Sequence, residues 1–370
     1  MKYCFLFLVF PLFCHAQDKA IQAEVDSIIA QGKYPGIVFS VAYPNGEATS
    51  FTAGWADVES GTPMTPGNRL LSGSTGKTFV AAVLMQLIEE NKLQLEDRAS
   101  KWLGDEEWYS RLPNSEELTI MNLLRHQSGM ERYEFKPEFS EEVLKNPDRV
   151  WKPAELIAYV LDDAPLFSAG EGFAYSDTNY ILLGMIIEEI EGEEYYTVLK
   201  DRLLKPLDLT GILPTNTRKI EKLAQGYMDK ESPLGFNDHL LEDGISRYNL
   251  QFEWTGGGLA FETRDYARWL KLLFEGNAFD MEKMGETYFQ DIPSPEIGGS
   301  YGMGYQKLVI PEVGEAYGHS GFFPGYYTIG VYLPEYSIAV AMQVNTTEMA
   351  KLRSFFRDFV KLTRIVISNQ

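Results

Sequence analysis

Apolar positions recur at helical spacing at both ends of this chain, with a strand-like texture next to each. Ile21, Val25, Ile28 and Ile29 make one stripe over Asp18 to Gln31, and Gly32 lies just past it. Near the other end, Leu352, Phe355, Phe356, Phe359 and Val360 share one side of a helix over Glu348 to Thr363. Pro35-Gly36 opens a strand at Ile37 to Tyr43. Pro44-Asn45-Gly46 turns it, and Glu47 to Gly54 returns as its partner. Strand texture resumes late, over Tyr305 to Ile310, Gly314 to Ser320, Tyr326 to Leu333 and Ile338 to Val344. The middle reads instead as helices and loops. Helices are expected at Leu118 to Leu124, Pro153 to Leu161, Thr178 to Glu191 and Tyr195 to Leu204, with another at Arg264 to Phe274 beyond them. These patterns predict an α/β (α+β) fold, an antiparallel β-sheet flanked by N- and C-terminal helices plus an inserted all-helical subdomain. Residues 17–88 and 241–370 would form the α/β part and residues 89–240 the helical part of one domain.

Residues 1–16 stand apart. Lys2, the apolar run Phe5 to Phe13 and the small-residue end at Ala16 read as a secretory signal peptide, too short to span a membrane. Export to the periplasm or medium is therefore expected. Bulky Phe13 before Cys14 argues against a lipid anchor there. Both cysteines, Cys4 and Cys14, fall in this segment, so the mature chain is expected to have no disulfide and no thiol nucleophile. Without residues 1–16 and their one base, Lys2, the chain has 32 Lys and Arg against 53 Asp and Glu, a net charge of −21. Such a body repels nucleic acid and anionic lipid. A small molecule or peptide is the expected partner, and the sequence leaves the oligomeric state open.

Candidate chemistry centres on Leu71-Ser72-Gly73-Ser74-Thr75-Gly76-Lys77-Thr78, which precedes the apolar run Phe79 to Ile88. A helix beginning near Ser74 puts Ser74 and Lys77 on one face of its first turn. Serine needs an adjacent base to become a nucleophile, and a buried lysine can supply one. A capped helix start would look the same in isolation. The phosphate-loop reading fails, because that loop needs glycine where Leu71 stands. Two further stretches supply partners: Phe173-Ala174-Tyr175-Ser176-Asp177 before an apolar helix, and Tyr317-Gly318-His319-Ser320-Gly321-Phe322 on a late strand. Read alone, Tyr175 would staple that helix and Asp177 would cap it.

In this order, Ser-x-x-Lys, Tyr-Ser-Asp and His-Ser-Gly resemble the serine β-lactamase and penicillin-binding protein superfamily. The likeness is to its branch of class C β-lactamases, D-Ala-D-Ala carboxypeptidases, D-amino-acid peptidases and related esterases. Gly54-Trp55-Ala56-Asp57, Leu123 to Gly129, Gly256-Gly257-Gly258-Leu259 and Tyr301 to Tyr305 extend it over the mature chain. The resemblance implies Ser74 as nucleophile, Lys77 and Tyr175 as proton carriers, and the backbone N–H groups of Ser74 and Phe322 as the oxyanion hole. Asp177, His319, Ser320 and Gly321 would meet substrate, and no cofactor or metal would be needed. Two departures count against an efficient β-lactamase. His319 stands where many β-lactamases have lysine, so binding of a substrate carboxylate is expected to be weak or pH-dependent. Asp177 replaces the usual asparagine and cannot donate to a substrate carbonyl. A carboxypeptidase or peptidase for D-residue substrates, or an esterase, is expected, with a class C-type β-lactamase, an acyltransferase or a non-catalytic binding or sensor protein as rivals. His126 and His239 are read as packing and loop residues. Glu131 to Val150 and Asp229 to Leu250 are expected as loops walling the pocket.

Overall fold

The computed structural model describes residues 10–229 and 238–368, with side chains from Gln17 onward. Most of the expected signal segment, residues 1–9, and the centre of one expected wall loop, residues 230–237, lie outside the described residues. The first helix, Phe10–Ala30, buries Ile21, Val25 and Ile28 completely. The last, Phe355–Ile367, packs beside it through Phe359, Leu362 and Val366. Each such side chain contributes about 1.5–3 kcal/mol by leaving water.

Gly36–Ala42 pairs antiparallel with Ala48–Asp57 on one side and Ile338–Val344 on the other, and Ile37 stands opposite Val344. The chain's first strand is thereby zipped to its last. The sheet continues through Tyr326–Leu333, Gly314–Phe323 and Gln306–Ile310, and two-residue strands at Thr62–Pro63, Ile292–Pro293 and Ser300–Tyr301 bring it to nine among the described residues. Alternation along the first strand divides two cores. Ile37, Phe39 and Val41 face the terminal helices, whereas Val38 and Ala42 face a larger core shared with Thr263–Phe274 and the helical region.

Three differences from the sequence expectation shape the site. Ser74 lies in a 3-10 turn, Gly73–Gly76, and the α-helix proper begins at Lys77 and runs to Glu89. Residues i and i+3 eclipse in such a turn, which stacks Lys77 on Ser74 more directly than an α-turn would. The strand expected to end at Ser320 continues to Phe323, so Phe322 is sheet backbone. A three-stranded sheet of Arg69–Leu71, Leu259–Glu262 and Ile212–Pro214 also forms, and no residue pattern had announced its short strands. It sets Ser72 beside Gly257, whose carbonyl accepts the Ser72 hydroxyl. Among the described residues no helix is long and apolar enough to cross a membrane.

Candidate active site

The 3-10 turn carrying Ser74 is wedged between the large sheet, where the end of Gly314–Phe323 runs past its neighbour Gln306–Ile310, and the glycine run at Trp254–Gly257. Close approach depends on two missing side chains. A Cβ at Gly321 would sit 1.9 Å from the Ser72 carbonyl oxygen. One at Gly73, whose φ is +51°, would sit 2.7 Å from the Phe322 nitrogen. The Phe322 peptide therefore runs directly against the nucleophile turn, where two N–H groups can converge on one oxygen.

Lys77 is wholly buried, and its Nζ donates to Ser74 Oγ at 3.2 Å and to the Gly256 carbonyl at 2.5 Å. Its third contact is an ion pair with Asp177. Asp177 is the first residue of the Asp177–Glu191 helix and does not cap it; its other oxygen takes Arg132 Nη2 at 3.1 Å. Arg132 in turn holds Glu134 at 2.6 Å. Burial pulls the Lys77 pKa down, but the Asp177 carboxylate and Tyr175 more than offset this and hold it above its ordinary value. Despite its own burial, Asp177 is kept well below the carboxylate range by Lys77 and Arg132. Burial and the neighbouring Asp177 charge push Glu134 well up. Asp177, expected as a substrate contact, lines the cavity and is also the middle of a Lys-Asp-Arg-Glu chain.

Tyr175 lies with its ring 5.0 Å from Lys77 Nζ, and among the described residues its buried hydroxyl completes no aligned hydrogen bond, although Ser74 and Lys77 both act on it. Burial raises its pKa, tempered by the Lys77 charge. His126 stacks on Tyr175 at 4.1 Å between ring centres, and its Nδ1 accepts the Ser176 N–H at 3.1 Å. The bland reading of His126 as a packing residue holds, with the addition that it fixes the Tyr175 turn. His239 lies apart, pairing with Glu59 at 3.4 Å and Asp238 at 3.0 Å.

His319 lines the cavity, but its Nε2 meets the Tyr301 hydroxyl at 3.0 Å and its Nδ1 meets the Ser320 carbonyl. Burial, reinforced by the Lys77 charge, pulls its pKa down to about 3. A ring held neutral in this way offers a carboxylate a hydrogen bond at most, and no fixed charge. Ser320, with its N–H held by Gln306 at 3.1 Å, and Gly321 line the same cavity of about 480 Å³. Arg132, Glu134 and Glu253 also line it, and no motif had singled them out. Among the described residues no group of three or more His, Cys, Asp or Glu could hold a metal.

A serine touching a buried lysine at the mouth of a cavity, with sheet backbone alongside, defines a serine hydrolase of the acyl-enzyme kind. The chain belongs to the Beta-lactamase family, whose model matches residues 18–362. It is 28% identical over 346 residues to unguisins hydrolase ungD' of Aspergillus campestris (strain IBT 28561), covering 89% of this chain and 62% of that protein, less than two thirds of its length. It is 25% identical over 346 residues to teichoic acid D-alanine hydrolase of Staphylococcus aureus, covering 91% and 77%. D-amino acid amidase from Ochrobactrum anthropi SV3 shares the fold, with a TM-score of 0.82, 23% identity and coverage of 96% and 99%. D-stereospecific amidohydrolase from Streptomyces sp. matches with a TM-score of 0.76, 26% identity and coverage of 91% and 97%.

Proposed function

We propose that this enzyme hydrolyses small amides or esters of D-amino acids through an acyl-enzyme on Ser74, and that it is a poor β-lactamase. The observation that carries this reading is Asp177, an acceptor-only carboxylate tied to Lys77 and Arg132 where the β-lactamase pattern has an amide donor. The names of the hydrolases and amidases it resembles, several of which specify D-residues, support the substrate class.

Ser74 Oγ attacks the acyl carbonyl as its proton passes to Lys77, which touches it at 3.2 Å and accepts the proton in the fraction of molecules whose amine is neutral. The oxyanion is met by the N–H groups of Ser74 and Phe322. When the C–N or C–O bond breaks, the leaving group takes a proton from Tyr175, which regains one from Lys77. Water then repeats the sequence on the ester and releases the acid, leaving Ser74 as it began. Ser320 and Gly321 border the acyl chain. Read with residues 1–16 as a secretory signal, the enzyme works outside the cytoplasm, and N-terminal sequencing of the cell-free fraction tests this.

Intact-mass measurement after brief exposure to a penicillin, an activated short-chain ester, a D-Ala-D-Ala peptide and a D-amino acid amide tests the reading, with product analysis alongside. Turnover of the D-substrates is expected, with any acyl adduct absent from Ser74→Ala. Activity retained in that variant, or a penicillin consumed faster than the D-substrates, would refute it. Transfer of the acyl group to an added amine in preference to water would move the enzyme to the acyltransferases.

A further inference from the structure

Four carboxylates line the cavity beside Ser74, namely Glu134, Asp177, Glu253 and Glu296, against the single guanidinium of Arg132. Three of them are engaged. Asp177 pairs with Lys77 and Arg132, Glu134 pairs with Arg132, and Glu296 accepts the Tyr175 N–H at 3.3 Å. Glu253 is different: among the described residues no ion pair or hydrogen bond reaches its carboxylate, although the charges of Asp177 and Lys77 both act on it. It immediately precedes Trp254, whose φ of +36° is rare for a residue with a side chain, in the segment that also supplies the Gly256 carbonyl to Lys77. A carboxylate partly withdrawn from water without a counter-charge is costly unless a cation arrives. Burial, helped by Asp177, accordingly raises its pKa to about 8. The cavity's own cation is not available to it, because Arg132 is spent on two other acids.

We propose that Glu253 docks an ammonium group of the substrate, so that this enzyme selects acyl donors with a free amine over the same donors with the amine acylated. The inference rests on the hydrolase reading above, in which a D-amino acid amide or ester carries its ammonium on the carbon next to the scissile carbonyl. Glu253 is thereby a specificity residue; the bond-making atoms belong to Ser74, Lys77 and Tyr175.

The test compares D-alanine methyl ester with its N-acetyl derivative in the wild type, Glu253→Gln and Glu253→Asp. Wild type should prefer the free amine. Glu253→Gln should raise KM for it by ~10–100-fold, the scale of a hydrogen bond to a charged group, and leave kcat/KM for the N-acetyl ester within about twofold. Glu253→Asp should restore part of the loss. Equal losses on both esters, no loss on either, or a wild-type preference for the N-acetyl ester would overturn the proposal while leaving the hydrolase reading in place. Should wild type hydrolyse neither ester, the substrate reading fails, and calorimetry of D-alanine amide binding to Ser74→Ala decides for Glu253. Binding lost on adding Glu253→Gln supports the site, and binding unchanged or absent refutes it.

Discussion

Replacing Asp177 with asparagine isolates the charge that keeps Lys77 protonated. The Lys77 side chain is 0% exposed and that of Asp177 13% exposed. Two unit charges ~4 Å apart at an effective dielectric of about 20 attract by about 4 kcal/mol. That is about three pKa units at about 1.36 kcal/mol each; single charge partners in proteins shift a pKa by about 1–3 units. With Lys77 raised in the wild type and Tyr175 raised too, kcat/KM should climb steadily from pH 7 toward pH 10. In Asp177→Asn the half-maximum should fall by about 1–3 units. Stability supplies an independent check. In the wild type, the Lys77 contribution is complete below the unfolded pKa and lost as pH rises through the higher folded value. In the variant the folded pKa drops below the unfolded one, so the unfolded chain binds more protons and stability rises with pH across that interval. The deficit against wild type, about 3–5 kcal/mol for a buried pair losing one partner, should therefore be largest near neutrality and shrink toward pH 10. Stopped-flow pH profiles with an activated D-alanine ester and urea melts at two pH values measure both. A half-maximum that moves by less than about 0.3 units in a folded variant would refute the assignment of the Lys77 charge to Asp177.

Gly321→Ala tests the contact between sheet edge and nucleophile turn. A Cβ 1.9 Å from the Ser72 carbonyl must force the two apart, costing about 1–3 kcal/mol or more and lowering kcat more than it raises KM; an unchanged Tm and kcat would deny the contact. His319→Gln tests the neutral imidazole. Below pH 6.5 the unfolded chain binds a proton that the native ring refuses down to about pH 3, so wild-type stability falls as pH drops through that window. By pH 4.5 the loss from this one group is about 3 kcal/mol, and the variant should show a correspondingly shallower loss of Tm between pH 7 and 4.5. An identical acid slope would mean that His319 titrates normally.

Ser74, Lys77, Tyr175, His319 and Gly321 were singled out in the sequence by the order of three short motifs and the resemblance they carry, no motif being decisive alone, and the structure brings them around one cavity. The strands Tyr326–Leu333 and Ile338–Val344 match their expected bounds, since continuous apolar runs closed by turn residues leave little freedom. Arg132 and Glu134 were hidden for a physical reason. They lie in a stretch expected as loop, where Tyr133–Phe135 is a single 3-10 turn and periodicity has nothing to act on. Asp177, which Arg132 holds, lies 45 residues away in the chain. The helix Pro137–Lys145 in the same stretch carried a usable signal, proline at its start and Phe139 and Val143 one turn apart, both buried. The ion pair of Asp177 with Lys77 carries no local signal, because the two residues are 100 positions apart in the chain.

Pairing Ile37 with Val344 has a consequence for biogenesis. The N-terminal hairpin leaves synthesis or an export channel early, yet its open edge finds its partner only when the last strand has emerged some 300 residues later. Until then the hairpin is an exposed template for other strands. Contacts of such long sequence separation form slowly, after most of the loop-closure entropy has been lost. Truncation within Ile338–Val344 should therefore yield an aggregating product in place of a shorter enzyme.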